Sequence, residues 1–208
     1  MRISLLIVLA TALTGCSTAV FKSNWTRQTA PNIFTARFET NKGNFDIEVK
    51  REWSPYAVDR LYQLLKHHFY DHAIFYRGVP NFVVQFGSTD TVLMAKWNNY
   101  KIPDEKVIYG NARGSLSFAR GGKESRGSEL FINLKNNNFL DSLSLQEVKG
   151  FPAFGNVTHG MEVVESLYTG YGDRTMDKLD TLYINRLRFL EIFPKLDSIY
   201  KAYILKKN

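Results

Sequence analysis

The chain has 208 residues, of which 44% are hydrophobic, 14% aromatic and 23% charged. This composition is typical of a globular domain and excludes a disordered, collagen-like or multi-pass membrane protein. A chain of this length buries roughly 70% of the surface that its unfolded form exposes, so a core can form without disulfides. The formal net charge is +7. Because the lysines and arginines are scattered rather than grouped in a stripe, we expect no nucleic-acid partner.

Residues 1–16, MRISLLIVLATALTGC, have the organisation of an export signal. Arg2 supplies the positive charge, and the apolar run after it is too short to span a bilayer comfortably. The run ends in LTGC at residues 13–16, which resembles the lipobox of bacterial lipoproteins. The resemblance implies that residues 1–15 are removed and that Cys16 is acylated, which would anchor the protein to a membrane. The alternative is a plain secretory signal with Cys16 near the cut by chance.

Cys16 is the only cysteine in the chain. Its acylation would leave no free thiol, which excludes disulfides, cysteine nucleophiles and zinc ribbons. Residues 16–32 are polar and have no hydrophobic period, so we interpret them as a tether between the lipid and a domain at residues 33–208. We expect a monomer in the bacterial cell envelope, on the periplasmic side or the outer membrane.

The domain begins with a predicted β-hairpin. Residues 33–40 and 44–50 alternate between apolar and polar side chains, as half-buried strands do, and a glycine-containing turn separates them. A helix is predicted over residues 54–68. Ser54 is a favourable N-cap residue, Pro55 suits the first helical position, and the apolar residues that follow recur at helical spacing.

From residue 73 onward, short apolar runs alternate with clusters of Gly, Pro, Asn and Asp. This spacing predicts an antiparallel barrel or sandwich. A second short helix is predicted over residues 159–168, and the apolar residues 181–193 are expected to return to the barrel. The predicted strands of this region are residues 74–76, 82–86, 115–119, 130–134 and 153–157.

The motifs of several enzyme classes are missing from the sequence. None of the four histidines has the HExxH spacing of a zinc site, and neither GxxxxGK[ST] nor GxGxxG is present to bind phosphates. A GxSxG nucleophile elbow is also missing. These absences argue against hydrolase, kinase and dehydrogenase chemistry, and we expect neither a metal nor a cofactor.

Two long segments carry a family pattern. They are SPYAVDRLYQLLKHHFYDHAIFYRGVPNFVVQFG at 54–87 and GSLSFARGGKESRGSELFINL at 114–134. Shorter matches are FETNKG at 38–43, FLD at 139–141 and FGNV at 154–157. Together they resemble the cyclophilins. The resemblance implies a mainly β fold, an eight-stranded antiparallel closed barrel capped by two α-helices. It also implies peptidyl-prolyl cis/trans isomerase activity on X-Pro segments, without a cofactor.

The same resemblance assigns site residues. Arg77 would donate hydrogen bonds to the twisting prolyl unit, because its guanidinium stays charged at any physiological pH. Gln85 would bind the substrate backbone, and Phe82 would line an apolar pocket for the proline ring. The implied catalytic set is Arg77, Phe82 and Gln85. The implied substrate-binding set is Val83, Ala119, Arg120, Gly121, Glu129, Phe131, Phe139, Leu140 and Phe151. Without the family pattern, the apolar members of these sets would be interpreted as core residues.

Glu129 departs from the family pattern, which usually has glutamine there. An ionised carboxylate accepts hydrogen bonds but donates none. Glu129 could pair with Arg77 and compete with substrate, or it could pair with Arg120. The sequence therefore favours an isomerase that assists the folding of cell-envelope proteins, with a weak or inactive module that binds Pro-containing segments as the alternative. A lipoprotein that only scaffolds its membrane would need neither Arg77 nor Gln85.

Overall fold

The computed structural model describes residues 21–87 and 91–207. In these residues eight strands form one antiparallel sheet, and two short strands form a separate hairpin. The order of neighbouring strands in the sheet is β10-β1-β2-β9-β5-β6-β4-β3. The strands are β1 Ile33–Thr40, β2 Gly43–Lys50, β3 Arg77–Val79, β4 Val83–Phe86, β5 Ser115–Phe118, β6 Leu130–Asn133, β7 Ser144–Leu145, β8 Val148–Lys149, β9 Ala153–His159 and β10 Ile199–Lys207. The predicted signal and Cys16 lie outside the described residues.

Short helices connect these strands. The described part of the chain has the α-helices α1 Pro55–Lys66, α2 Thr91–Asn98, α3 Met161–Glu165, α4 Leu179–Ile184 and α5 Arg186–Ile192. It also has the 3-10 helices Ser23–Arg27, Asn138–Asp141 and Asp173–Lys178. Within the described ranges, no helix is long and apolar enough to cross a membrane.

Helix α1 begins near its predicted start, but its N-terminal cap differs from the prediction. Ser54 makes no capping hydrogen bond to the helix. Instead, Glu105 from a distant loop accepts hydrogen bonds from the backbone N–H groups of Tyr56, at 2.8 Å, and Ala57, at 3.2 Å. Ser54 donates its hydroxyl to the same carboxylate. A carboxylate beside the free N–H groups of a helix end stabilises that end.

The prediction of a closed barrel is wrong, because the sheet is open with β10 and β3 as its edges. In the part of the chain that the structure describes, an isolated bridge between Ile74 and Ser198 connects the two sides near these edges. The reason is that β3 is three residues long and its outer edge is occupied. Gly78 in β3 forms an antiparallel bridge with Gly172, so a C-terminal segment lies where a closing strand would have to pair.

Residues 181–193 do not return to the barrel as predicted. They form α4 and α5, separated at Asn185, whose side chain accepts a hydrogen bond from the backbone N–H of Arg188 and caps α5. The buried side chains of these helices, Leu182 and Phe189, pack in one cluster with Ile74 and Tyr76, outside the main core. The predicted strand at 74–76 is reduced to the bridge at Ile74, and β10 supplies the return to the sheet.

The described part of the predicted tether packs against the domain. The ring of Trp25 stacks on His67 with centroids 3.8 Å apart. Gln63 of α1 donates hydrogen bonds to the backbone oxygens of Thr26 and Gln28. Residues 21–32 therefore lie against the domain rather than extending away from it, because Phe21 contacts the rings of Trp97 and Tyr100 while Trp25 packs at the end of α1.

The main core lies between α1 and one face of the sheet. Phe38 is fully buried and stacks on Phe45 at 5.0 Å, with Phe86 in edge contact at 5.6 Å. These rings belong to β1, β2 and β4. They therefore connect strands near the β10 edge of the sheet with a strand near its β3 edge.

We expect Phe38→Ala to lower the free energy of unfolding by about 3–5 kcal/mol, because it removes a buried ring and leaves a cavity. Urea unfolding followed by tryptophan fluorescence measures the change. Tyr56→Ala is the control, since Tyr56 is 53% exposed and surface changes stay within about 0.5 kcal/mol. Equal effects of the two variants would contradict this description of the core.

Candidate active site

Three antiparallel strands bring the site together. Arg77 in β3 pairs with Gln85 in β4, and Gln85 pairs with Phe131 in β6. Side chains alternate between the two faces of a sheet, so these three residues form a row on one face. The neighbours of Gln85 in β4, Val84 and Phe86, point to the other face and belong to the main core.

This row borders a cavity of about 220 Å³. Its apolar floor is a small cluster in which Phe131 meets Phe151 edge to face, with ring centroids 6.0 Å apart. Nine of the twelve residues that the family pattern assigned line the cavity, together with one that it did not. The lining residues are Arg77, Phe82, Val83, Gln85, Ala119, Arg120, Phe131, Leu140, Phe151 and Met176. The cavity is therefore mainly apolar, with the guanidinium groups of Arg77 and Arg120 and the amide of Gln85 in its lining.

The guanidinium of Arg77 is held by two acceptors. Its Nε donates to Oδ1 of Asp173 at 2.6 Å, and one terminal nitrogen donates to Oε1 of Gln85 at 3.1 Å. It also lies 5.8 Å from the centroid of the Phe82 ring. Its remaining N–H groups are available to a molecule in the cavity, because an arginine offers a fork of several donors.

Glu129 does not take either of the two partners expected for it. Arg77 is paired with Asp173, and the carboxylate nearest to Arg120 is Asp104, with N and O atoms 3.6 Å apart. Glu129 lies opposite Gly87, where a Cβ would come within 3.0 Å of its carboxyl oxygen. The missing side chain at Gly87 leaves the space into which the carboxyl group turns.

Burial raises the pKa of Glu129 to about 7, although the neighbouring Tyr76 hydroxyl and Lys101 act in the opposite direction. One carboxyl oxygen of Glu129 is buried without a hydrogen-bond partner among the described residues. The Tyr76 hydroxyl accepts a hydrogen bond from Gln85. Since Gln85 in turn accepts from Arg77, the carboxyl group of Glu129 is linked to Arg77 through Tyr76 and Gln85.

Arg120 lines the cavity, and one of its terminal nitrogens is used within the protein. One terminal nitrogen donates to the backbone oxygens of Val148, at 2.9 Å, and Gly150, at 2.6 Å. Its guanidinium lies 4.6 Å from the ring centroid of Phe151. Arg120 therefore fixes the β7–β8 hairpin beside the cavity.

Two further predicted residues lie outside the cavity lining. Gly121 is exposed, and its N–H donates to Ser125 at 3.1 Å instead of facing the cavity. Phe139 is 54% exposed and stacks on Phe82 at 6.0 Å, which places it on the rim.

Asp173 and Met176 are the site residues that the sequence reasoning missed. Both lie on the Asp173–Lys178 3-10 helix, far along the chain from Arg77. No local motif marks them, so only the fold brings them to the cavity. Among residues 21–87 and 91–207 there is no cluster of three or more His, Cys, Asp or Glu side chains that could hold a metal ion.

Known proteins with similar sequences and folds show the family to which this chain belongs. The family model described as cyclophilin type peptidyl-prolyl cis-trans isomerase/CLD matches residues 35–188. The chain belongs to this family. A peptidyl-prolyl cis-trans isomerase of Acinetobacter baylyi is 34% identical over 131 residues, which cover 62% of this chain and 69% of that protein.

Further relatives agree with this assignment. Peptidyl-prolyl cis-trans isomerase A of Dickeya dadantii is 30% identical over 162 residues, covering 77% of this chain and 83% of that protein. The fold matches a cyclophilin of Cryptosporidium parvum with a TM-score of 0.59 and 20% identity, covering 83% of this chain and 97% of that one. A second crystal structure of the same cyclophilin, in the presence of the dipeptide Ala-Pro, also has a TM-score of 0.59.

The raised pKa of Glu129 predicts how the free energy of unfolding changes with pH. The pKa is about 7 in the folded chain against about 4.5 for a free side chain, so the folded state binds the proton more tightly. This group therefore lowers stability as the pH rises from about 4.5 to 7. We expect the unfolding free energy of Glu129→Gln to rise relative to the wild type by about 3 kcal/mol between pH 4.5 and pH 8.

Urea titrations of both proteins across this pH range give the difference in their unfolding free energies. The contributions of all other titrating groups cancel in this difference. Glu52→Gln is the matched control, because it makes the same substitution at an exposed position. A difference between Glu129→Gln and the wild type that does not change with pH would contradict the raised pKa of Glu129.

Proposed function

We propose that this protein catalyses the cis/trans isomerisation of X-Pro bonds in proteins of the bacterial cell envelope, to which an acylated Cys16 anchors it. The observation that supports the proposed catalytic activity is the position of Arg77. Its guanidinium is fixed by Gln85 and lies at the edge of an apolar cavity. Membership of a family named for this reaction supports the same conclusion.

The reaction requires little covalent chemistry. Amide resonance gives the X-Pro bond a rotational barrier of about 18–20 kcal/mol. The uncatalysed exchange takes tens to hundreds of seconds. Acceleration by roughly 10⁴ needs about 5–6 kcal/mol of selective stabilisation of the twisted amide. No bond breaks, so only groups that bind the twisted form better than both planar forms can contribute.

The cavity offers the two kinds of group that this selection needs. The cluster of Val83, Phe131, Leu140 and Phe151 can hold the pyrrolidine ring by apolar contact. The free donors of Arg77 can then bond to the prolyl nitrogen, which gains a lone pair as resonance is lost. Because Gln85 orients the guanidinium before substrate binds, little reorganisation is needed in the transition state.

The binding-only alternative depended on Glu129 neutralising Arg77. Arg77 is paired with Asp173 instead, and the Asp173 side chain is 65% exposed. An ion pair that is this accessible to water is worth only about 0–1 kcal/mol, too little to keep substrate away from Arg77. The alternative therefore loses its main argument, and an active isomerase is the better proposal.

We expect Arg77→Ala to lower kcat/KM at least about 100-fold, which corresponds to about 3 kcal/mol of lost transition-state stabilisation. The measurement is NMR exchange spectroscopy of a short peptide with an Ala-Pro bond in the presence of the full chain. Peptide binding should persist in this variant, because the apolar floor is unchanged.

Arg113→Ala is the matched control, since Arg113 is half-exposed and pairs with Glu165 away from the cavity. This variant should accelerate the cis/trans exchange of the peptide as much as the wild type does. A wild type that binds the peptide without accelerating exchange would favour the binding-only module. A wild type that does neither would refute the proposal.

The support for anchoring lies in the sequence, where a short apolar run ends in LTGC at residues 13–16. Acylation at one cysteine with several chains gives stable attachment, whereas a single chain binds only marginally. A protein held in this way would act on extended segments of envelope proteins near the membrane.

We expect the full chain, expressed in a bacterial host, to incorporate a labelled palmitate analogue and to remain with the membrane fraction. Cys16→Ser should lose the label and leave the membrane. Ser17→Ala is the control, because it preserves the thiol and should retain both properties. An unlabelled wild type would contradict the anchor and leave the catalytic part unaffected.

A further inference from the structure

The C-terminal segment reaches the active site through the edge of the sheet. Gly78 in β3 forms an antiparallel bridge with Gly172. In an antiparallel pair the residue before one partner faces the residue after the other, so Arg77 is directly opposite Asp173. Gly78 permits this approach, because a Cβ there would lie 2.8 Å from the backbone oxygen of Tyr168 and 3.1 Å from Cα of Thr169.

Asp173 then forms a close contact with Arg77. Its Oδ1 accepts a hydrogen bond from Nε of Arg77 at 2.6 Å, while Oε1 of Gln85 accepts from a terminal nitrogen. The two acceptors act on different nitrogens of one planar group. They therefore fix both the direction of the side chain and the rotation of its plane.

The segment that carries Asp173 is itself held firmly. Thr175 is fully buried, and Met176 packs beside the cluster of Ile74 and Tyr76 while also lining the cavity. Tyr171 contacts the ring of Phe193 at 5.0 Å. Asp173 is thus presented from a packed segment, although its own side chain is largely exposed.

We propose that Asp173 is a positioning residue of this isomerase, which holds Arg77 in the orientation needed to bond the twisted amide. The inference rests on the proposed function. Its physical basis is that a donor pays no orienting cost during the reaction if its neighbours have already fixed it. The negative charge of Asp173 is secondary, since Nε–H needs only an acceptor at the position of Oδ1.

The test compares Asp173→Ala, Asp173→Asn and the wild type as full chains, with exchange of the Ala-Pro peptide measured over a range of concentrations. We expect the alanine variant to lower kcat about 3- to 10-fold, with KM unchanged within about twofold, because geometry and not binding is lost. The asparagine variant should stay within about twofold of the wild type, because its side-chain oxygen can still accept from Nε–H.

A second readout does not depend on catalysis. The exchange of the Arg77 Nε–H proton with water is followed by NMR on protein with isotope-labelled arginine. This proton should exchange slowly in the wild type and in Asp173→Asn, and rapidly in Asp173→Ala. Asp177→Ala is the matched control, since Asp177 is exposed on the same 3-10 helix, and it should behave as the wild type in both experiments.

The outcomes separate this proposal from the proposed function. An active wild type with an unchanged or higher kcat in Asp173→Ala would overturn the positioning role alone. An equal loss in the alanine and asparagine variants would also overturn it, because charge and not the hydrogen bond would then matter. No acceleration of peptide exchange by the wild type would refute the proposed function and the positioning role of Asp173 together, even if the Nε–H proton were protected.

Discussion

The geometry of the site depends on the antiparallel register of three short strands. Arg77, Gln85 and Phe131 occupy successive paired positions in β3, β4 and β6. A shift of one residue in this pairing would turn each side chain to the opposite face of the sheet. Val84 and Phe86 prevent such a shift, because they fill the main core from the other face. Core packing and the alignment of the site are therefore one physical constraint, and a change that loosens the core should also disturb Arg77.

Two carboxyl groups lie near this row in contrasting environments, and the contrast explains their different roles. Asp173 is largely exposed and bonds directly to Arg77. Glu129 is turned into the protein beside Gly87, and burial raises its pKa to about 7. Because Glu129 does not pair with Arg77, the guanidinium keeps donors for a ligand. The buried carboxyl is connected to Arg77 through Tyr76 and Gln85.

The C-terminal helices add a second layer to the fold around β3. Residues of α4 and α5 pack on Ile74 and Tyr76, just before Arg77 in the chain. The main core lies on the opposite side of the sheet, and the cavity floor forms a third, smaller cluster. The strand that carries Arg77 is therefore supported from several directions. The open edge of the sheet allows this, since a closed barrel would leave no free edge at β3 for Gly172 to pair with.

The sequence by itself determined the cyclophilin family, most strands, helix α1 and most of the cavity lining. These features follow from local patterns, because Arg77 and Gln85 lie on consecutive strands and Phe131 lies in a second compact motif. Only the tertiary structure decided that the sheet is open, that residues 181–193 are helical and that Glu129 turns away from Arg77. It alone brought Asp173 to Arg77 across 96 positions of the chain. The reason is that side-chain orientation and long-range pairing depend on the space that other elements leave. At Gly78 and Gly87 this space exists because a side chain is missing, and a local sequence pattern does not predict which distant residue fills it.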